Sequence, residues 1–230
     1  MKTVTKNVVA LGRHQRSKTG GFSLLELLLA LILGIGLNGA ILQLLISESN
    51  IGLRVNRLLR ERSVQQRTLA LIREEVQRSS HISSNPQLEQ HACSLGGRLP
   101  VLQLTTPEGL ITYSVGTAPS SIWRGQVLMR CGPSFNIEGK PALGATSQNR
   151  VMVDGLASKA EVWQDCSTLL GSGISAAGAS QDLAGSARQP FSACLDASGS
   201  VLAIRLLQDF PGADGRLQRL KRETVISSMV

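Results

Sequence analysis

Aromatic side chains are scarce in this sequence: seven rings in 230 residues, or 3%. That excludes a base-stacking platform for single-stranded nucleic acid, which needs exposed rings. Four cysteines are too few for a disulfide-dense miniature domain, but they suit two bridges in an exported one. Histidine occurs three times, at His14, His81 and His91, and none lies in a Gly-x-Ser-x-Gly, His-Glu-x-x-His or P-loop context. No Cys-x-x-Cys pair is present. His91-Ala-Cys93 is too little for a zinc site, and no metal or cofactor is expected. Asp209-Phe-Pro-Gly-Ala-Asp214-Gly lacks the alternating oxygen ligands of a calcium loop and reads as a plain turn. Proline is missing from residue 22 to residue 85, and acidic residues from the first 21.

What is there is distributed unevenly. The formal net charge is +8, with 24 basic and 16 acidic side chains. Lys2, Lys6, Arg13, Arg16 and Lys18 place +5 of it in residues 1–21. Residues 81–230 carry only +1, so the headline charge makes no general case for nucleic-acid binding. Residues 22–46 read FSLLELLLALILGIGLNGAILQLLI, with Ser23, Glu26, Asn38 and Gln43 as the polar exceptions. At 1.5 Å per residue this is roughly 37 Å of helix, enough to cross a hydrocarbon core of about 30 Å. A secretory signal peptide has a shorter apolar core and a small-residue cleavage site behind it. Ser47-Glu48-Ser49-Asn50 offers no such site. Glu26 needs a reason too. A carboxylate at mid-bilayer costs about 2.5–3.5 kcal/mol, and a plain anchor gains nothing from it.

Gly21-Phe22-Ser23-Leu24-Leu25-Glu26, behind a basic leader and ahead of an apolar helix, resembles the processing site of type IV prepilins and pseudopilins. The resemblance implies cleavage after Gly21 on the cytoplasmic side by a membrane peptidase. The same enzyme would then methylate the new amine of Phe22. It also implies an inner-membrane, single-pass chain with its head in the periplasm. Partners would be the prepilin peptidase/methylase and other pilin or pseudopilin subunits. Glu26 becomes the fifth mature residue, where it can neutralise the Phe22 amine of a neighbouring subunit and set register, since both charges are costly alone in low dielectric. Lys/Arg counting favours the leader inside only modestly, because Arg54, Arg57, Arg60 and Arg62 follow the apolar run.

Helical periodicity continues past Ile46. Ile51, Val55, Leu58, Arg62, Gln65, Leu69, Ile72 and Val76 alternate by four and three, one stripe of an amphipathic helix, with charged residues such as Arg73 and Glu74 on solvated faces. One helix over 22–80 would be about 88 Å long. Gly34, Gly36 and Gly39 either soften its apolar half or are ordinary close-packing positions.

Residues 81–230 read as short strands with turn punctuation. Leu99–Leu104 and Leu110–Val115 flank Thr-Thr-Pro-Glu-Gly, a hairpin signal. Further strands are expected at Ser121–Arg130, Arg150–Leu156, Glu161–Gln164, Ser200–Leu207 and 216–228. The fold class is therefore α+β: a long N-terminal helix, transmembrane over 22–46 and amphipathic beyond, packed on a mainly antiparallel β-rich head. Residues 167–189, rich in Gly, Ala and Ser, suggest a flexible surface loop. Cys166 and Cys194 bracket that loop, and a bridge between them would leave Cys93 with Cys131. Four cysteines allow three pairings. Arg216, Arg219, Lys221 and Arg222 form a local basic cluster, the one place where contact with nucleic-acid phosphates stays open.

The expected protein is a minor pilin or pseudopilin precursor. It is a substrate of the peptidase and methylase, not itself an enzyme. Pilus and type II secretion system are not separable on sequence. The other class is a membrane-anchored extracytoplasmic binding module or enzyme that keeps its leader and stays out of filaments.

Overall fold

The computed structural model describes residues 23–164, 166–170, 180–212 and 215–228. The chain divides into two compact units, one ending at Ser49 and the other running from Asn50. Helix α1, Leu24–Arg78, contributes to both. An uninterrupted helix of this length is what a segment without proline permits. It stops where Ser79 turns its amide and hydroxyl onto the Val76 carbonyl, at 3.2 and 2.7 Å. Arg78 in the last turn complements the helix dipole.

The second unit is a curled antiparallel sheet with the end of α1 on one face. Its strands are β1 (His81–Ile82), β2 (Leu99–Thr106), β3 (Gly109–Thr117), β4 (Gln126–Pro133), β5 (Ser147–Leu156), β6 (Gln181–Asp182), β7 (Phe191–Leu195), β8 (Val201–Pro211) and β9 (Leu217–Ser227). The order is β1-β2-β3-β4-β5-β8-β7-β6, with β9 on the other edge of β8. The expected hairpin at Pro107-Glu108 joins β2 to β3, with Thr106 opposite Gly109. Pro100 has no N–H to give, and the β2 ladder shifts register between Pro100 and Leu102. That shift lets both Val101 and Leu102 enter the core.

Side chains alternate across the strands, so each face can be followed residue by residue. Ile111 and Tyr113 on β3, Phe191, Ala193 and Leu195 on β7, and Leu202, Ile204 and Leu206 on β8 share one cluster with Leu69, Ile72 and Val76 of α1. The opposite face of β7 and β8 carries a second, smaller cluster: Trp163, Leu170, Cys194 and Ala203.

Several expected elements differ. The helix buries Gln65, Leu69, Ile72 and Val76 as expected, but Arg62 and Val55 are exposed. The buried line starts one residue earlier, at Glu61. Strand β4 begins at Gln126 rather than Ser121, because Ser121–Arg124 make a turn held to β5. There the Gly155 amide donates to Arg124 O at 2.6 Å. Gly155 sits at φ +62, and a Cβ on it would lie 3.2 Å from Asp209 O. Glu161–Gln164 is not a strand: Trp163 N–H bonds Ala187 O at 2.8 Å and the indole covers the second cluster. Strand β7 was not expected; its Phe191-Ser-Ala-Cys-Leu run follows directly on small-residue sequence that masks it.

The segment 167–189 is not simply a surface loop. Cys166–Leu169 forms the short helix α2, and Leu183–Arg188 a 3-10 segment that buries Leu183 in the main core. Asp182 anchors that segment, accepting from Ser186 Oγ at 3.0 Å and Ala187 N at 3.1 Å. Residues 171–179, the most Gly/Ala-rich part, lie outside the described residues.

Candidate functional site

The chemistry-bearing feature of the first unit is the start of α1. Gly21 and Phe22, the expected cleavage and methylation positions, lie outside the described residues. Ser23 precedes the first helical residue, and its Oγ accepts the Glu26 N–H at 3.2 Å. This is an N-cap with a carboxylate three residues on, the Ser-x-x-Glu spacing of a capping box. Glu26 therefore holds a capping position in addition to the assembly role expected of it. A carboxylate in the first turn also complements the positive end of the helix dipole.

Beyond it, Leu24–Leu44 is long and apolar enough to cross a membrane, with a mean hydropathy of 2.2 and no part of it buried within the protein. Asn38, the polar residue at its middle, is satisfied within the helix: Nδ2 donates to Gly34 O at 2.8 Å. A Cβ at Gly34, Gly36 or Gly39 would meet only open space.

In the second unit two buried carboxylates on α1 pin the helix to the sheet. Glu75 and Arg130 are both 0% exposed. Arg130 Nε donates to Glu75 Oε1 at 2.8 Å, with Nη2 2.7 Å from the same oxygen. Tyr113 donates its hydroxyl proton to Glu75 Oε2. Burial first, and then the Glu75 charge, push the Tyr113 phenol well above its usual range, so it remains a donor. Four turns earlier, Glu61 takes Arg124 Nη2 at 2.9 Å and Gln208 Nε2 at 2.7 Å. Arg124 also grips Asp154 through Nε at 3.2 Å and Nη2 at 2.9 Å.

Neither Glu61 nor Glu75 was singled out in the sequence. The signal was available: Glu61, Gln65, Thr68, Ile72, Glu75 and Ser79 alternate by four and three, next to the apolar stripe. It was hidden because polar residues at such spacing read as a solvated face.

Burial alone would raise the Asp154 carboxyl, but the hydrogen bonds from Arg124 outweigh it and hold the group below its usual range. A depressed carboxylate stabilises the fold above the unfolded pKa, and that stability is lost as pH falls through the folded one. Thermal scans should therefore show a loss of stability as pH drops below about 4, with a shallower slope in Asp154→Asn. An unchanged slope would count against this pair.

The cysteines are all paired among the described residues. Cys93 is joined to Cys131 and Cys166 to Cys194, with Cα separations of 5.9 and 6.3 Å. Each bridge closes a loop of 38 or 28 residues, which corresponds to about 3–4 kcal/mol in the chain-entropy treatment. His91 lies near Cys93 but faces Thr112 Oγ1, at 3.3 Å from Nδ1. Burial lowers the His91 pKa, with Glu89 opposing. No group of three potential metal ligands occurs among the described residues.

The basic cluster of the last strand is divided. Arg219 holds Asp209 through two bonds of 2.8 and 2.9 Å, and Lys221 pairs with Glu223 at 2.9 Å. Arg222 alternates to the other face of β9. Asp209 belongs to β8 rather than to a turn, and Asp214 lies outside the described residues. Compared with family models, with curated proteins and with solved structures, the chain has no significant match in any of the three.

Proposed function

We propose that this chain is a minor pilin or pseudopilin precursor: a structural subunit, not an enzyme. It is inserted in the inner membrane with residues 1–21 inside and the head in the periplasm. It is cut after Gly21, methylated at Phe22 and assembled through its N-terminal helix into a type IV pilus or type II secretion pseudopilus. The observation that carries this reading is a lone carboxylate, Glu26, in the first turn of a helix that is otherwise uncharged to Leu44. The basic leader and Gly21-Phe22 in front of it, the continuation of α1 to Arg78 and the antiparallel sheet behind it agree with that role.

The balance of charge follows from the cut. Removing Gly21 leaves an α-amine on Phe22, and an amine and a carboxylate in low dielectric each cost less when paired. Mass spectrometry of the mature N-terminus tests the reading directly. It should find a chain beginning at methylated Phe22, and replacement of Gly21 by Trp should leave the uncut precursor. A native chain that retains Met1, or is cut downstream of the apolar run, favours the anchored module instead.

A further inference from the structure

Five exposed apolar side chains of the second unit surround the first turns that α1 gives it. Val55 and Leu59 stand out on the helix itself. The turn before β4 adds Ile122, 79% exposed, and the ring of Trp123, at a groove shared with Arg57 and Arg60. The β8–β9 turn adds Leu217, 74% exposed and paired with Pro211. Arg57 holds that turn at its own level, donating Nη1 to Pro211 O at 2.9 Å. The free charge around these residues is of one sign. Glu61 and Asp154 are taken by Arg124, and Asp209 by Arg219. Arg60 and Arg62 are exposed and make no hydrogen bond or ion pair among the described residues. Uncommitted arginines beside tryptophan and bulky aliphatics, on a surface of mixed polarity, match the interfacial layer of a bilayer. Lipid phosphates there take cations, and amphipathic rings settle between water and hydrocarbon.

The chain itself designates what covers this surface. Thirteen residues separate Arg57 from Leu44, the last residue of the apolar span, and they make about 20 Å of helix. The polar layer outside the hydrocarbon takes up about 5–7 Å of that length. A helix tilt of ordinary size shortens the remaining height, and long arginine side chains reach down by snorkelling. The gap left to the guanidinium groups is then within a Debye length of about 8 Å. The linker adds no opposing field, since Glu48 and Arg54 cancel. A membrane is the one surface that the covalent chain keeps this close to these arginines.

We infer that this end of the head rests on the anionic headgroups of the membrane that α1 enters, with Arg57, Arg60 and Arg62 toward lipid phosphates and Ile122, Trp123 and Leu217 at the headgroup layer. The occupant is a lipid surface, not a second protein. The inference rests on Leu24–Leu44 spanning a membrane, and it needs no cleavage at Gly21. An unmethylated Phe22 would overturn the filament reading and leave this contact standing.

The test uses the full chain, one copy per nanodisc, in phosphatidylglycerol mixed with phosphatidylcholine or in phosphatidylcholine alone. A small share of the lipid carries a nitroxide on its headgroup. The chain has two tryptophans and Trp163 is buried, so nitroxide quenching of the intrinsic fluorescence reports on Trp123, and Trp123→Phe should remove it. Quenching should be strong in anionic discs. It should fall by at least about half in neutral discs, or in 1 M salt, where the Debye length is about 3 Å. The double variant Arg60→Glu, Arg62→Glu should lose it to the same extent. Both arginines are exposed and unbonded, so folding is not at stake, and the variant's circular dichroism melt should match that of the parent chain. Inorganic phosphate should compete no better than chloride at equal ionic strength. The inference is overturned by quenching that is absent, equal in neutral and anionic discs, indifferent to the double variant, abolished by inorganic phosphate, or seen only in discs carrying two copies. A chain that stays out of the discs overturns the membrane span and this contact together.

Discussion

Arg130→Met is expected to destabilise the head by about 3–5 kcal/mol, because it leaves Glu75 as a buried charge without its cation. Arg130 and Glu75 are wholly enclosed, and Tyr113 supplies only one proton to the second carboxylate oxygen. For a unit of this size, each kcal/mol moves the melting temperature by about 2–4 °C, so the midpoint should fall by about 6–20 °C. Circular dichroism melts of the detergent-solubilised chain will read it. The informative control is the double change Glu75→Leu, Arg130→Met. Removing both charges abolishes the desolvation cost along with the attraction, and should recover most of the loss. If the double variant is as unstable as the single one, the bond to Pro133 O and the stacking on Phe135 matter more than the ion pair.

The second large effect concerns Glu26. Under the proposed assembly, Glu26→Ala should leave cleavage after Gly21 intact while the chain disappears from sheared filaments. The substitution leaves the Phe22 amine without its partner, and an uncompensated charge in the apolar layer costs up to about 2.5–3.5 kcal/mol. Losing a term of that size lowers incorporation on the order of 100-fold. The cap at Ser23 complicates a simple reading, since Glu26 is also the third residue of the helix. Glu26→Gln separates the two roles: it keeps a capping side chain and removes the charge. Quantitative immunoblots of filament and membrane fractions should find Gln as defective as Ala. Normal incorporation of the Gln chain would end the charge-pairing account.

Much of the architecture could be read from local pattern. The helix followed from the absence of proline and from apolar spacing, and the β2–β3 hairpin from Pro107-Glu108-Gly109. The sheet's closure could not be read that way. It depends on β8, already paired with its chain neighbours β7 and β9, also accepting β5 at Gln208, a partner far away in sequence. The polar pins failed for a different reason. Glu61 and Glu75 look like solvent-facing acids until Arg124 and Arg130, brought from the β3–β4 turn and β4, are placed over them. A sequence states which residues are charged, but a buried pair is a statement about two distant elements. The two bridges were within reach because each closes a contiguous excursion of the chain.

Both bridges lie on the side of the sheet away from α1. Cys131 alternates with the side of β3 and β4 opposite Tyr113, and Cys194 sits between Ala193 and Leu195, which face the main core. No covalent link therefore ties the helix to the sheet. Oxidative maturation can finish on one surface without waiting for the helix to seat on the other, and a reductant would loosen the outer covering before it reached the helix contact. The helix is held by packing, by the two carboxylate pins and by side-chain bonds such as Arg73 to Thr224 and Arg78 to Glu108, all of them non-covalent, so its seating remains a reversible equilibrium throughout the life of the folded head.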